Sequence, residues 1–180
     1  MSVDPVFVLV SRAGLAILFA AAAVHKGRDL AGFIRTVAGY RILPDALPPI
    51  LGPALVAAEG LLAVGIAVPR FDPAGGAGAI LLLSVYSIAI AINLARGRRD
   101  IDCGCLGPAG RQPLSGWLLA RNAVLIAGGF VLASPQGPRA LSWVDVFSIL
   151  GGAGMLFLLW NAGNRLGATW PALQALRRSP

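Results

Sequence analysis

The chain has little of what a soluble domain is made from: 13% of its 180 residues are charged, eight are acidic and one is histidine. So few ionisable groups cannot coat a surface that faces water, which excludes an ordinary soluble enzyme of this length. Cysteine is equally scarce. Two residues, Cys103 and Cys105, cannot staple a disulfide scaffold; two thiols this close are either a redox pair or half of a metal site. His25 is the only imidazole, and a metal would need further ligands, so no metal centre is expected. The opening Met1-Ser2-Val3-Asp4-Pro5 lacks the positive n-region of a signal peptide, and the first apolar segment is expected to be retained.

What is present in quantity is apolar: 57% of the residues are hydrophobic and the mean hydropathy is +0.76. Five stretches reach the ~20 residues needed to cross a hydrocarbon core. They run from Val6 to Val24, Ile50 to Val68, Ala77 to Ala95, Leu114 to Ala133 and Val144 to Gly163. Between the first two, Leu30, Phe33, Ile34, Val37 and Ala38 fall at helical spacing among Arg28, Arg35 and Arg41, which predicts a short helix along the headgroups. Prolines 44, 48 and 49 end it before the second span. The fold class is therefore an all-α integral membrane protein. A bundle of about five transmembrane helices fills residues 1–165, with a short interfacial helix after the first span and a basic tail over 166–180.

The net charge of +7 lies in short runs beside apolar segments, with no extended stripe interleaved with aromatics, so lipid headgroups and not nucleic acid are the expected neighbours. Alternating spans put Lys26, Arg28, Arg35, Arg41, Arg96, Arg98, Arg99, Arg111, Arg165, Arg177 and Arg178 at one face and only Arg70 and Arg139 at the other. The positive-inside rule assigns the rich face, which also carries the cysteines, to the cytoplasm.

Chemistry concentrates in that face. Asp102-Cys103-Gly104-Cys105-Leu106-Gly107-Pro108 follows the third span at once, within a loop over 96–113, and its glycines and proline suit a tight exposed turn. Thiols one residue apart close only into a small strained ring, and strained disulfides are the exchangeable ones. Arg96, Arg98, Arg99 and Arg111 favour a thiolate there, while Asp100 and Asp102 oppose it. Cys103 and Cys105 are the candidate catalytic residues; unreactive structural thiols are the alternative.

Ionisable groups inside a bilayer are costly and mark a buried pair or a functional site. Arg12 in the first span and Glu59 in the antiparallel second differ in depth by only a few ångströms at ~1.5 Å per residue, so the two are expected to pair. His25, Lys26, Asn93, Arg96, Arg121 and Asn122 all lie toward the cysteine face and could line one cavity beneath the loop. Singly, each has a plainer role: Lys26 and Arg96 reaching to headgroups, Asn122 bonding a neighbouring helix. Trp117, Trp143, Trp160 and Trp170 sit near span ends and read as interfacial belts, not as a quinone box. Gly151-Gly152-Ala153-Gly154 is expected to be a close helix-packing face.

These residues, in order, resemble the MauE family of methylamine utilisation, within the broader DoxX-like group. The resemblance is carried by Arg12, Lys26, Phe33, Tyr40, Leu43-Pro44, Glu59, Asn93, Arg96-Gly97 and Cys103-Gly104-Cys105-Leu106-Gly107, up to about the fourth span. Leu106 departs from the phenylalanine that members often carry. The resemblance implies a multi-pass protein of the bacterial inner membrane that works with a thioredoxin-like partner, MauD-like, in maturing an exported disulfide-rich client, the small subunit of methylamine dehydrogenase. It implies a thiol–disulfide role for Cys103 and Cys105 and a periplasmic cysteine loop, against the arginine count; we take the periplasmic side.

Three functions follow as expectations. One is a thiol–disulfide oxidoreductase exchanging electrons with a thioredoxin-fold partner, with a quinone in the bundle as a further acceptor. Another is a non-catalytic membrane scaffold for that partner. The third is a metal-binding or transport protein using both thiolates with His25.

Overall fold

The computed structural model describes residues 3–99, 101, 114–135 and 137, and a scattered set between 142 and 162. They fall into two compact units, Met1–Leu141 and Ser142–Pro180. Cys103, Cys105 and Arg111 lie outside the described residues.

The first unit is all helix among its described elements: α1 (Pro5–Arg28), α2 (Leu30–Gly39), α3 (Pro48–Ala67), α4 (Asp72–Ala95) and α5 (Gly116–Ala133). Four of them, all but α2, are long and apolar enough to span a membrane. Local chemistry sets their ends. Asp4 caps α1, its carboxylate accepting from the Val6 amide at 2.9 Å, with Pro5 at the first helical position, where its missing N–H costs nothing. Asp29 closes α1 and caps α2 in turn, accepting from the Gly32 amide at 2.8 Å. The tight 3₁₀ turn Pro69–Phe71 joins α3 to α4. Gly97, at φ +71°, ends α4 in the left-handed conformation that a residue without Cβ adopts freely.

Helix α1 packs on α3 and α5, and α4 on α5 and α3, so the four spans close into a ring. The closest approach is between α4 and α5. A Cβ on Gly76 would stand 2.6 Å from the Gly129 carbonyl oxygen and 2.8 Å from the Ala133 amide nitrogen, so only glycine lets these backbones meet. The small-residue face expected at 151–154 falls in the second unit, with Ala153 outside the described residues. At the ends of α1 and α5, Val3 exchanges backbone hydrogen bonds with Pro135 and Gly137, both 3.0 Å, fastening one face of the ring.

The α1–α3 register decides the site. A Cβ on Gly27 would touch Val56 at 3.8 Å and one on Gly60 the Ala23 Cβ at 4.0 Å, and in both pairs the residue numbers add to 83. Facing the predicted spans end to end (Val6 with Val68, Val24 with Ile50) gives 74. The difference of nine residues is roughly 14 Å along the axis. It arises because α1 continues four residues past Val24, to Arg28, and because the first turns of α3 extend beyond the end of α1. Helix α2 folds over that projection: Gly52 of α3 admits the Ile34 side chain, which a Cβ would meet at 2.6 Å.

In the second unit the described positions from Trp143 to Ala162 are helical, where the fifth span is expected, and most of that span lies outside the described residues. Its start carries a Ser-x-x-Asp cap, the Asp145 carboxylate accepting from the Ser142 amide at 2.7 Å.

Candidate functional site

Two ion pairs, Arg12–Asp72 partly buried and Lys26–Glu59 buried, occupy opposite ends of the ring. Arg12 lies level with position 71 of the α3 register, and its guanidinium grips Asp72 at the start of α4 through both carboxylate oxygens, one contact from Nε at 3.1 Å. The carboxylate also sits at a helix N-terminus, whose dipole favours negative charge. Glu59 lies level with position 24, and its Oε1 pairs with Lys26 Nζ and accepts from the Tyr86 hydroxyl at 2.7 Å. The expected Arg12–Glu59 pair is therefore corrected: each has a different partner, because the helices are offset by about 14 Å from end-to-end alignment. Breaking the Lys26–Glu59 pair, 3% and 1% exposed, would strand a charge where water cannot reach it.

Lys26 is the centre of the second cluster and only 4% exposed. Its ammonium lies 4.7 Å from the Phe33 ring centroid on α2 and 4.6 Å from that of Tyr86 on α4, and it donates to the Tyr86 oxygen at 3.3 Å. Two rings, a carboxylate and a phenol together replace its hydration shell. Glu59 Oε2 is buried without a hydrogen-bond partner among the described residues.

Lys26 and Tyr86 form one wall of a cavity of about 350 Å³ between α2, α3 and α4. The rest is apolar or aromatic apart from Thr36, whose hydroxyl donates to the Gly32 carbonyl at 3.2 Å: Phe33, Val37 and Tyr40 from α2 and its end, Leu51 and Leu55 from the projecting turns of α3, Ile88, Ala89 and Ile92 from α4. Ile42 and Leu43 roof it.

Of the polar set expected to line one cavity, only Lys26 does so. His25 and Arg96 are exposed, while Asn93, Arg121 and Asn122 are buried in the ring outside the cavity lining. Asn122 donates to Ser87 at 3.1 Å, the interhelical bond of its plainer reading. Asn93 donates to the Ala89 carbonyl at 3.1 Å and accepts from Arg98 at 3.2 Å. Arg98 also donates to the carbonyls of Gly39 (3.0 Å) and Tyr40 (3.2 Å), and Arg96 to that of Arg41 (3.0 Å). Two arginines read as thiolate-stabilising thus cap the C-terminal carbonyls of α2 with positive charge. They tie the cavity's roof to the start of the cysteine loop. The loop's feet are also joined: the Leu114 amide donates to the carbonyls of Arg99 (3.0 Å) and Ile101 (3.2 Å).

Asp72 and Tyr86 carry the two clusters and were not among the expected site residues. Asp72-Pro73 repeats the helix-start signature of Asp4-Pro5 and could have moved the start of the third span from Ala77 to Asp72. Tyr86, a phenol in the middle of an apolar span, needs a partner for its hydroxyl.

The family profile described as "Methylamine utilisation protein MauE" matches residues 4–135. Among curated proteins, the "Methylamine utilization protein MauE" of Paracoccus denitrificans is 37% identical over 163 residues, 89% of this chain and 87% of the relative. That of Paracoccus versutus is 34% identical over 167 residues, 91% and 89%, and that of Methylorubrum extorquens 39% over 139 residues, 76% and 75%. No solved structure matches the chain significantly.

Proposed function

Since the chain belongs to the MauE family of methylamine utilisation proteins, we propose that it is an accessory membrane protein of that pathway whose Cys103 and Cys105 exchange electrons with a thioredoxin-like partner during maturation of an exported, disulfide-rich client. One thiolate attacks a disulfide sulfur of the partner, giving a mixed disulfide and releasing the partner's other sulfur as a thiolate; the second cysteine then displaces the partner. One disulfide is made and one reduced, with two electrons passed between the proteins.

The observation that carries the reading is how the loop is mounted. Its feet are pinned by Leu114 to the carbonyls of Arg99 and Ile101, and its N-terminal foot is clamped through Arg96 and Arg98 to the end of α2. With both feet held at one point of the bundle, the thiol-bearing segment leaves and re-enters at a fixed place, which suits docking of a partner fold there.

We place the loop on the periplasmic side of the inner membrane. The arginine count argues otherwise, but the fold uses Lys26, Arg96 and Arg98 for internal bonds, so those charges have a structural reason to be on this face whichever side it meets. Labelling of intact cells with a membrane-impermeant thiol reagent reads sidedness directly: periplasmic thiols react, cytoplasmic thiols do not.

The reaction is tested by changing Cys103 or Cys105 singly to serine. The remaining thiol is expected to trap the thioredoxin-like partner as a higher-mass species that reductant dissolves. No trapped species in either variant, together with a wild-type pair that stays reduced under oxidising conditions, replaces this reading with a non-catalytic scaffold.

A further inference from the structure

We infer that the cavity between α2, α3 and α4 is a binding site for a lipophilic, uncharged carbonyl compound of the quinone class, with its head on Lys26 and Tyr86.

The walls set the body of the ligand. Leu51, Leu55, Val37 and Ala89 offer dispersion contacts only, and a volume of about 350 Å³ is at the lower end of small-molecule sites. Val85 and Ile88 line the cavity and are also exposed on α4, 47% and 59%, so a long tail leaves the site directly into lipid. Aromatic rings of Phe33, Tyr40 and Tyr86 lie along the lining and favour a flat ring.

The polar wall sets the head. Lys26 is neutralised by Glu59, so the cluster has no net charge to offer a phosphate or carboxylate, and burying a free anion there would go uncompensated. An ammonium has three N–H groups. Two meet Glu59 Oε1 and the Tyr86 oxygen, leaving one for a carbonyl oxygen arriving through the cavity. Glu59, 1% exposed, stands behind Lys26 and is not part of the lining, so the head meets the ammonium and the phenol. A spare donor on the wall suits a head that presents a carbonyl oxygen, and the aromatic lining beside it suits a head that is itself a flat ring, as a quinone is and an alkyl ester is not.

The site also fits the proposed thiol chemistry. Closing one disulfide from two thiols releases two electrons and two protons, and one quinone takes up both as it becomes the hydroquinone. That link rests on the thiol reading; binding does not.

The experiment is equilibrium binding of ubiquinone-1 to the purified full chain in lipid nanodiscs, beside methyl laurate and an alkylbenzene of matched length. Saturable binding of ubiquinone-1, at least ten-fold tighter than either comparator, is expected. Ala89→Phe, or Thr36→Phe if the former does not fold, fills the cavity and should abolish it at unchanged thermal stability. The double variant Lys26→Met/Glu59→Leu keeps an uncharged, filled core and should bind ubiquinone-1 no better than the alkylbenzene. Cys103→Ser/Cys105→Ser should bind like the wild type, so failure of the thiol reading leaves this result standing. Equal binding of quinone and alkylbenzene, tighter binding of methyl laurate, or quinone binding that survives the filled cavity each overturns the inference.

Discussion

Glu59→Ala tests the Lys26–Glu59–Tyr86 cluster most directly. Glu59 is 1% exposed and Lys26 4%, so removing the carboxylate leaves a desolvated ammonium without its counter-charge and removes the oxygen that accepts from the Tyr86 hydroxyl at 2.7 Å. Losing one partner of a buried pair costs about 3–5 kcal/mol. The Phe33 and Tyr86 rings, both within 4.7 Å of Nζ, retain part of the ammonium's stabilisation, about 0.5–2 kcal/mol by cation–π attraction, which favours the lower end of that range. For a chain of this size 1 kcal/mol moves Tm by about 2–4 °C, so a fall of roughly 6–12 °C is expected when helicity is followed by circular dichroism in detergent. Replacing both partners, Lys26→Met with Glu59→Leu, removes the stranded charge and should recover most of the loss. A Glu59→Ala protein that melts with the wild type, or a double variant less stable than the single, would refute the argument that a desolvated ion pair holds this end of the ring.

The corrected pairing makes a separate claim about Arg12. Arg12→Met and Glu59→Ala act on different pairs about 14 residues of α1 apart, so their stability losses should add to within about 0.5 kcal/mol; coupling well above that would restore an Arg12–Glu59 contact. Gly76→Ala forces a methyl onto the Gly129 carbonyl and Ala133 amide and should cost about 1–3 kcal/mol, whereas Gly65→Ala, with nothing within 4 Å, should be neutral or stabilising in the same melt. Arg98→Ala removes the donors to the Gly39 and Tyr40 carbonyls, and losing charged hydrogen bonds worth about 1.5 kcal/mol should raise tryptic cleavage after Arg41 about ten-fold without changing the global melt. If cleavage is unchanged, the arginine clamp does not hold α2.

Much of the fold is legible along the chain because a bilayer imposes length and polarity on every span. Apolar runs bounded by proline and arginine locate α1, α3, α4 and α5 to within a few residues, and the spacing of Leu30, Phe33, Ile34 and Val37 locates α2. The family resemblance rests on residues of the same kind, ordered and individually polar in an apolar background, and the profile match over 4–135 bears it out. That Lys26 and Glu59 are special is also legible, since no span carries such groups without cause.

Which of them meet is not legible, because pairing depends on the axial offset between helices, and composition is indifferent to that offset. Sliding α1 against α3 by nine residues leaves both spans apolar, yet moves Arg12 from Glu59 to the level of Asp72 and brings Lys26 within reach of Glu59. The offset is decided by close contacts that exist only in three dimensions: Gly27 against Val56, Gly60 against Ala23, Gly52 against Ile34. The cavity has the same origin. It exists because α3 outruns α1 and α2 folds back over the excess, leaving Lys26 and Tyr86 as the polar wall of an otherwise apolar space. Sequence by itself determined the helices and the unusual residues; the register between helices, set by where backbones approach most closely, determined what those residues do.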